Sequence, residues 1–120
     1  MVDVQKLAND YIETWNEADQ DRRRAALTAG WTERATYIDP LMRGTGLAQI
    51  DGLIGAVHAR FPGFRFALLG NADGHDTFVR FSWGLGPDGG DAIVKGTDFV
   101  VCDGDRIASV TGFLDQVPNA

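Results

Sequence analysis

The stretch from Phe78 to Leu114, FVRFSWGLGPDGGDAIVKGTDFVVCDGDRIASVTGFL, decides the fold. It holds three β-rich runs, Phe78 to Leu85, Ala92 to Cys102 and Arg106 to Leu114. Between them lie Gly86-Pro87-Asp88-Gly89-Gly90 and Asp103-Gly104-Asp105, both compositions that close tight turns. Three strands joined by short turns read as an antiparallel meander. Upstream, Phe64 to Gly70 adds a strand, with a turn expected at Asn71-Ala72-Asp73-Gly74.

The preceding half has helical periodicity. Val4, Leu7, Tyr11 and Trp15 recur at spacings of three and four. A second short helix is predicted over Asp21 to about Ala29, capped by Asp19 or Asp21 and stopped by Gly30. Trp31 then leads into a β-rich segment, Ala35-Thr36-Tyr37-Ile38-Asp39, which ends at Pro40 because the residue before proline is extended. Leu41 to Gly46 is a turn or short strand. Leu47, Ile50, Ile54, Val57 and Phe61 mark a third helix, ended by Pro62-Gly63. The expected class is α+β: a cone-shaped, curved antiparallel sheet wrapped by three N-terminal helices. Helices across the concave face leave a mouth for a small molecule.

At 120 residues this is one domain, residues 1–120. Eleven Lys and Arg against 17 Asp and Glu give a net charge of −6, which disfavours nucleic acid and anionic membranes. Arg22-Arg23-Arg24 reads as a solvated helix face. The single cysteine, Cys102, forms no internal disulfide and reads as structural. With no apolar run of ~18 residues and no signal peptide, a cytoplasmic protein is expected. No phosphate loop, zinc motif, nucleophile elbow or dinucleotide fingerprint occurs, so neither cofactor nor metal is expected.

Several polar residues fall where apolar ones belong. Tyr11 lies in the stripe of the first helix, either as a core tyrosine or facing a pocket, and its phenol needs a partner. Strand parity sets Asp98 in one row with Val94, Gly96, Val100 and Cys102. A lone carboxylate there is desolvated and favours its neutral form, unless it pairs with Arg80 or Arg43. Asp39 precedes Pro40 and shares a face with Tyr37, opposite Ile38. It serves either the turn or a pocket rim. His75 belongs to a polar turn, with a place at the pocket mouth as the alternative, and His58 flanks its helix's buried stripe. Trp15, Trp31 and Trp83 suit a core or a pocket wall. Phe99, Val101, Ile107 and Phe113 are candidates for an apolar outer sheet face, where a homodimer would form.

The segments Tyr11-Ile12-Glu13-Thr14-Trp15-Asn16, Tyr37-Ile38-Asp39-Pro40, Gly96-Thr97-Asp98-Phe99-Val100 and Asp103-Gly104-Asp105-Arg106-Ile107 resemble the SnoaL-like polyketide cyclases of the nuclear transport factor 2-like superfamily. The site pattern is similar to that of the steroid Δ-isomerases. That resemblance implies Asp39 as a base removing a proton alpha to a carbonyl, with Tyr11 and protonated Asp98 stabilising the enolate oxygen. Trp15, Met42, His75 and Trp83 would line the substrate pocket. Epoxide hydrolases of this fold require a late aspartate near Gly112, where no side chain exists, and a dehydratase would use His75. The implied function is a cofactor-independent isomerase or cyclase acting on a small apolar carbonyl compound. The alternative is a non-catalytic binding or dimerisation module of the same fold.

Overall fold

The structure, a computed structural model, describes residues 2–118. Helices α1 (Val4–Asn16) and α2 (Gln20–Gly30) lead into strands β1 (Trp31–Ile38) and β2 (Arg43–Thr45). Helix α3 (Leu47–Arg60) follows, and then β3 (Phe64–His75), β4 (Phe78–Pro87), β5 (Val94–Asp103) and β6 (Arg106–Gln116). Asp3 caps α1 by accepting the Lys6 amide. Of the two candidate caps for α2, Asp19 is the one used, accepting the Arg22 amide.

The six strands form one sheet in the order β2-β1-β6-β5-β4-β3. Strands β3 to β6 make the antiparallel meander expected from the turn signals. The sheet as a whole is mixed, however, because β1 joins β6 in parallel. Nothing local to β1 says which strand it will join or in which direction; that is set by the long return through β2 and α3. No described helix is long and apolar enough to cross a membrane.

Two local readings need correction, each for a backbone reason. Asn71 to Gly74 is not a turn. Gly70 has φ of 75° and produces a bulge, after which β3 continues to His75 and the chain reverses at Asp76 and Thr77. Ile107 is not on the outer face but is buried. Between the pairs Val101↔Ser109 and Cys102↔Ile107 the β6 strand carries an extra residue, so parity flips and Ile107 and Val110 both point inward.

The helices cover one face of the sheet. Trp31, Leu27, Ile50, Ile54, Val100 and Val110 are the largest fully buried apolar side chains of the core between them. Asn16 ties the end of α1 to β3: its amide donates to the Phe66 carbonyl at 2.9 Å, and its carbonyl accepts the Phe66 N–H at 2.7 Å. His58 Nε2 donates to the Trp15 carbonyl at 2.6 Å, tying α3 to the same helix end. Together they fix which way the last turn of α1 faces.

Arg22-Arg23-Arg24 is not the solvated face its charge suggests, because Arg23 is buried against Asp51 of α3. Arg23 Nε lies 2.6 Å from Asp51 Oδ1, while Arg24 Nε and Gln20 Nε2 each lie 3.1 Å from Oδ2. Burial alone would raise the Asp51 pKa, but these bonds outweigh it and hold it below the ordinary carboxylate value.

Candidate active site

A cavity of about 800 Å³ opens between the helices and the sheet. Its wall draws on the last turns of α1 and α3, the end of β1 and the inner rows of β3, β4, β5 and β6. Most of that wall is apolar, including Ile12, Val57, Phe66, Leu85 and Leu114. The volume suits a small organic ligand. Tyr11, Asp39 and Asp98 all line it, as do Trp15, Met42 and Trp83. His75 does not: the bulged β3 carries it to the far hairpin, where it is exposed beside Phe78. His75 therefore lies outside this wall, and the dehydratase reading loses its histidine.

Asp98 sits in the inward row of β5, as the alternation from Val94 to Cys102 requires. It is 2% exposed and pairs with no arginine; Arg80 bridges Asp73 at the surface instead. The Tyr11 hydroxyl donates to Asp98 Oδ2 at 2.6 Å. The other oxygen, Oδ1, has no partner. Burial pushes the Asp98 carboxyl up to about 6, against the opposing hydrogen bond from Tyr11 and the Trp83 indole, with the Asp39 charge adding to the rise. Burial likewise raises the Tyr11 phenol well above its usual range, so it acts as a neutral donor.

Asp39 is held from two sides. Its Oδ1 accepts the amides of Leu41 and Met42 at 2.8 and 2.9 Å, which closes the turn around Pro40. Its Oδ2 accepts the Tyr37 hydroxyl at 2.8 Å. Sequence patterns alone do not mark Tyr37 as a site residue, although its position two residues before Asp39 on one strand face is a signal for it. Burial, followed by the charges of Asp98 and Asp39, raises the Tyr37 phenol.

The two hydroxyl–carboxyl pairs meet over Gly112. A Cβ at that position would lie 2.8 Å from Asp98 Oδ1, 3.2 Å from Asp39 Cβ and 3.6 Å from the Tyr37 oxygen. A side chain there would displace Asp98, so the glycine is what lets the two carboxyls share one end of the cavity. The single phenolic proton of Tyr11 is committed to Asp98.

The shifted carboxyl has a measurable consequence. An acid whose folded-state pKa lies above its unfolded value loses stability as pH rises between the two. Asp98 therefore destabilises the fold progressively from about pH 4 to about pH 6, and the cost persists above. Asp98→Asn keeps an acceptor for Tyr11 and never ionises. Relative to the native protein it is expected to gain roughly 2–3 kcal/mol between about pH 4 and about pH 8. Urea unfolding of both proteins across that range checks it, and a constant difference would contradict the assigned shift.

Comparison with known proteins gives the same architecture. The family profile described as SnoaL-like domain matches residues 8–110. A candidate isomerase of the SnoaL-like family from Agrobacterium tumefaciens is 44% identical, with a TM-score of 0.89 over 93% of this chain and 97% of its own. A candidate ketosteroid isomerase from Kribbella flavida is 21% identical, with a TM-score of 0.71 over 98% of this chain and 81% of its own. A candidate polyketide cyclase from Sinorhizobium meliloti is 18% identical, with a TM-score of 0.72 over 92% and 95%. A search among curated proteins gave no match. The profile runs from α1 into β6, through every element that carries a wall residue of the inner cavity end, and the chain belongs to the SnoaL-like family.

Proposed function

We propose that the protein is a cofactor-independent acid–base enzyme, an isomerase or cyclase, acting on a small apolar carbonyl compound held in the cavity. The observation that carries this reading is the pair of hydroxyl–carboxyl units, Tyr11–Asp98 and Tyr37–Asp39, at one end of an apolar enclosure. Low polarity around them strengthens every interaction with developing charge.

In this reading Asp39 is the base. Both lone pairs of Oδ1 are taken by backbone amides, so Oδ2, beside Tyr37, removes the proton alpha to the carbonyl. The electron pair of that C–H bond moves into the enolate, and the oxygen is met by Asp98 carrying a proton on Oδ1. Tyr11 is then a positioning residue, acting through Asp98 Oδ2. Asp39 returns the proton elsewhere on the conjugated system, or the enolate carbon closes a ring. Since the donor form of Asp98 is lost as pH rises through about 6, kcat/KM is expected to fall through that range.

The test is a screen of unsaturated ketones and polyketide-like substrates with the native protein, following the conjugated product. Turnover supports the enzyme. Binding without turnover supports a second reading, a non-catalytic small-molecule-binding module. One observation favours that second reading: Asp39 already has three donors, as a purely structural turn carboxylate would.

We also propose a homodimer through the outer sheet face and a cytoplasmic location. Phe78, Phe99 and Phe113 are exposed on that face, and the last two pack edge to face at 5.7 Å. Phe99→Glu should then shift the protein from dimer to monomer in sedimentation, without altering ligand binding. A native monomer at high concentration would contradict the dimer.

A further inference from the structure

Among the described residues, two buried side-chain polar atoms have no hydrogen-bond partner: Trp15 Nε1 and Asp98 Oδ1. Folded proteins leave few such atoms, because each costs about 1–3 kcal/mol. Both residues line the same cavity. The Tyr11 hydroxyl donates to Asp98 Oδ2. Tyr11 and Trp15 are one helical turn apart on α1, with ring centroids 6.1 Å apart, so their polar ends share a face.

We propose that the indole N–H of Trp15 donates a hydrogen bond to the ligand oxygen that Asp98 Oδ1 also meets. This rests on the cavity being the ligand site, as argued above, and adds a second direct donor to it. Tyr11 cannot fill that role while its only proton is committed to Asp98.

The two unpartnered atoms also define the ligand group. With a proton on Oδ1, Asp98 and Trp15 are both donors, and they suit one carbonyl or enolate oxygen with two lone pairs. With Asp98 ionised, the same atoms are a donor and an acceptor. They then suit an enol or phenol, which accepts from Trp15 and donates to Asp98. The site is built for an oxygen that alternates between keto and enol forms.

The probe is para-nitrophenol, a planar enol mimic, titrated into the 120-residue protein. Three tryptophans give three indole N–H resonances, and Trp15→Phe removes one while keeping an aromatic ring in place. The Trp15 resonance is expected to move downfield on saturation, well beyond the other two. Trp15→Phe should weaken the probe roughly tenfold. Should that variant fail to fold, Trp31→Phe and Trp83→Phe assign the remaining resonances and leave Trp15 by elimination. Probe binding in the cavity with an unmoved Trp15 resonance and unchanged affinity in Trp15→Phe would overturn the inference alone. Absence of any binding would overturn the ligand site itself.

Discussion

Asp51→Ala is expected to lower the unfolding free energy by about 3–5 kcal/mol, the usual cost of stranding one member of a buried ion pair. The partner left behind is Arg23, whose side chain is 6% exposed and has lost the carboxylate 2.6 Å away. Arg24 can turn to solvent, being mostly exposed, but Arg23 cannot. Its remaining bond, from a guanidinium N–H to the Glu17 carbonyl at 2.9 Å, does not neutralise its charge. The double replacement Arg23→Met with Asp51→Leu should recover most of the loss, since a packed apolar pair matches a buried ion pair in many proteins. A loss below about 1 kcal/mol for Asp51→Ala would mean that the α2–α3 contact does not depend on this pair.

The pH dependence has a definite sign. The folded-state pKa of Asp51 lies below its unfolded value, so its stabilisation is fully present above about pH 4. It is lost as pH falls through the folded-state value. Asp98 works the other way, through its raised pKa. Acid therefore weakens the helix layer while it relieves the cavity.

The second large effect concerns catalysis. Asp39→Asn is expected to lower the rate by about 10²–10⁴-fold, the range for loss of a positioned general base. The turn should survive. An asparagine can keep its carbonyl oxygen toward the Leu41 and Met42 amides and present its NH₂ to Tyr37, whose hydroxyl accepts as well as donates. Substrate affinity should thus change far less than turnover. An unchanged rate with intact binding would remove Asp39 as the base.

How much of this was legible in the sequence follows from the range of the interactions. The strand alternation from Val94 to Cys102 is a local pattern, so the inward row of Asp98 could be read directly. Helix periods and the β4–β5 and β5–β6 turns are local too. Bulges are not: two extra residues near Gly70 carry β3 on to His75, and one extra residue in β6 flips the face of Ile107, both with no marker beyond ordinary composition. Asp51 lay in a helix whose apolar stripe was plain, but its partner is 28 residues away on α2. The Tyr11–Asp98 bond spans 87 residues, and no spacing rule predicts it. The Tyr37–Asp39 pair, by contrast, is local, since strand parity alone sets the two on one face.

The central claim is that this cavity removes a proton from carbon. Turnover of a β,γ-unsaturated ketone deuterated alpha to the carbonyl measures that step directly, because the label must leave the α carbon, either to solvent or, carried by Asp39, to another position of the conjugated system. The native protein is expected to remove the label well above the buffer rate, and Asp39→Asn close to it. A native protein that binds the ketone yet removes the label no faster than buffer would contradict the account.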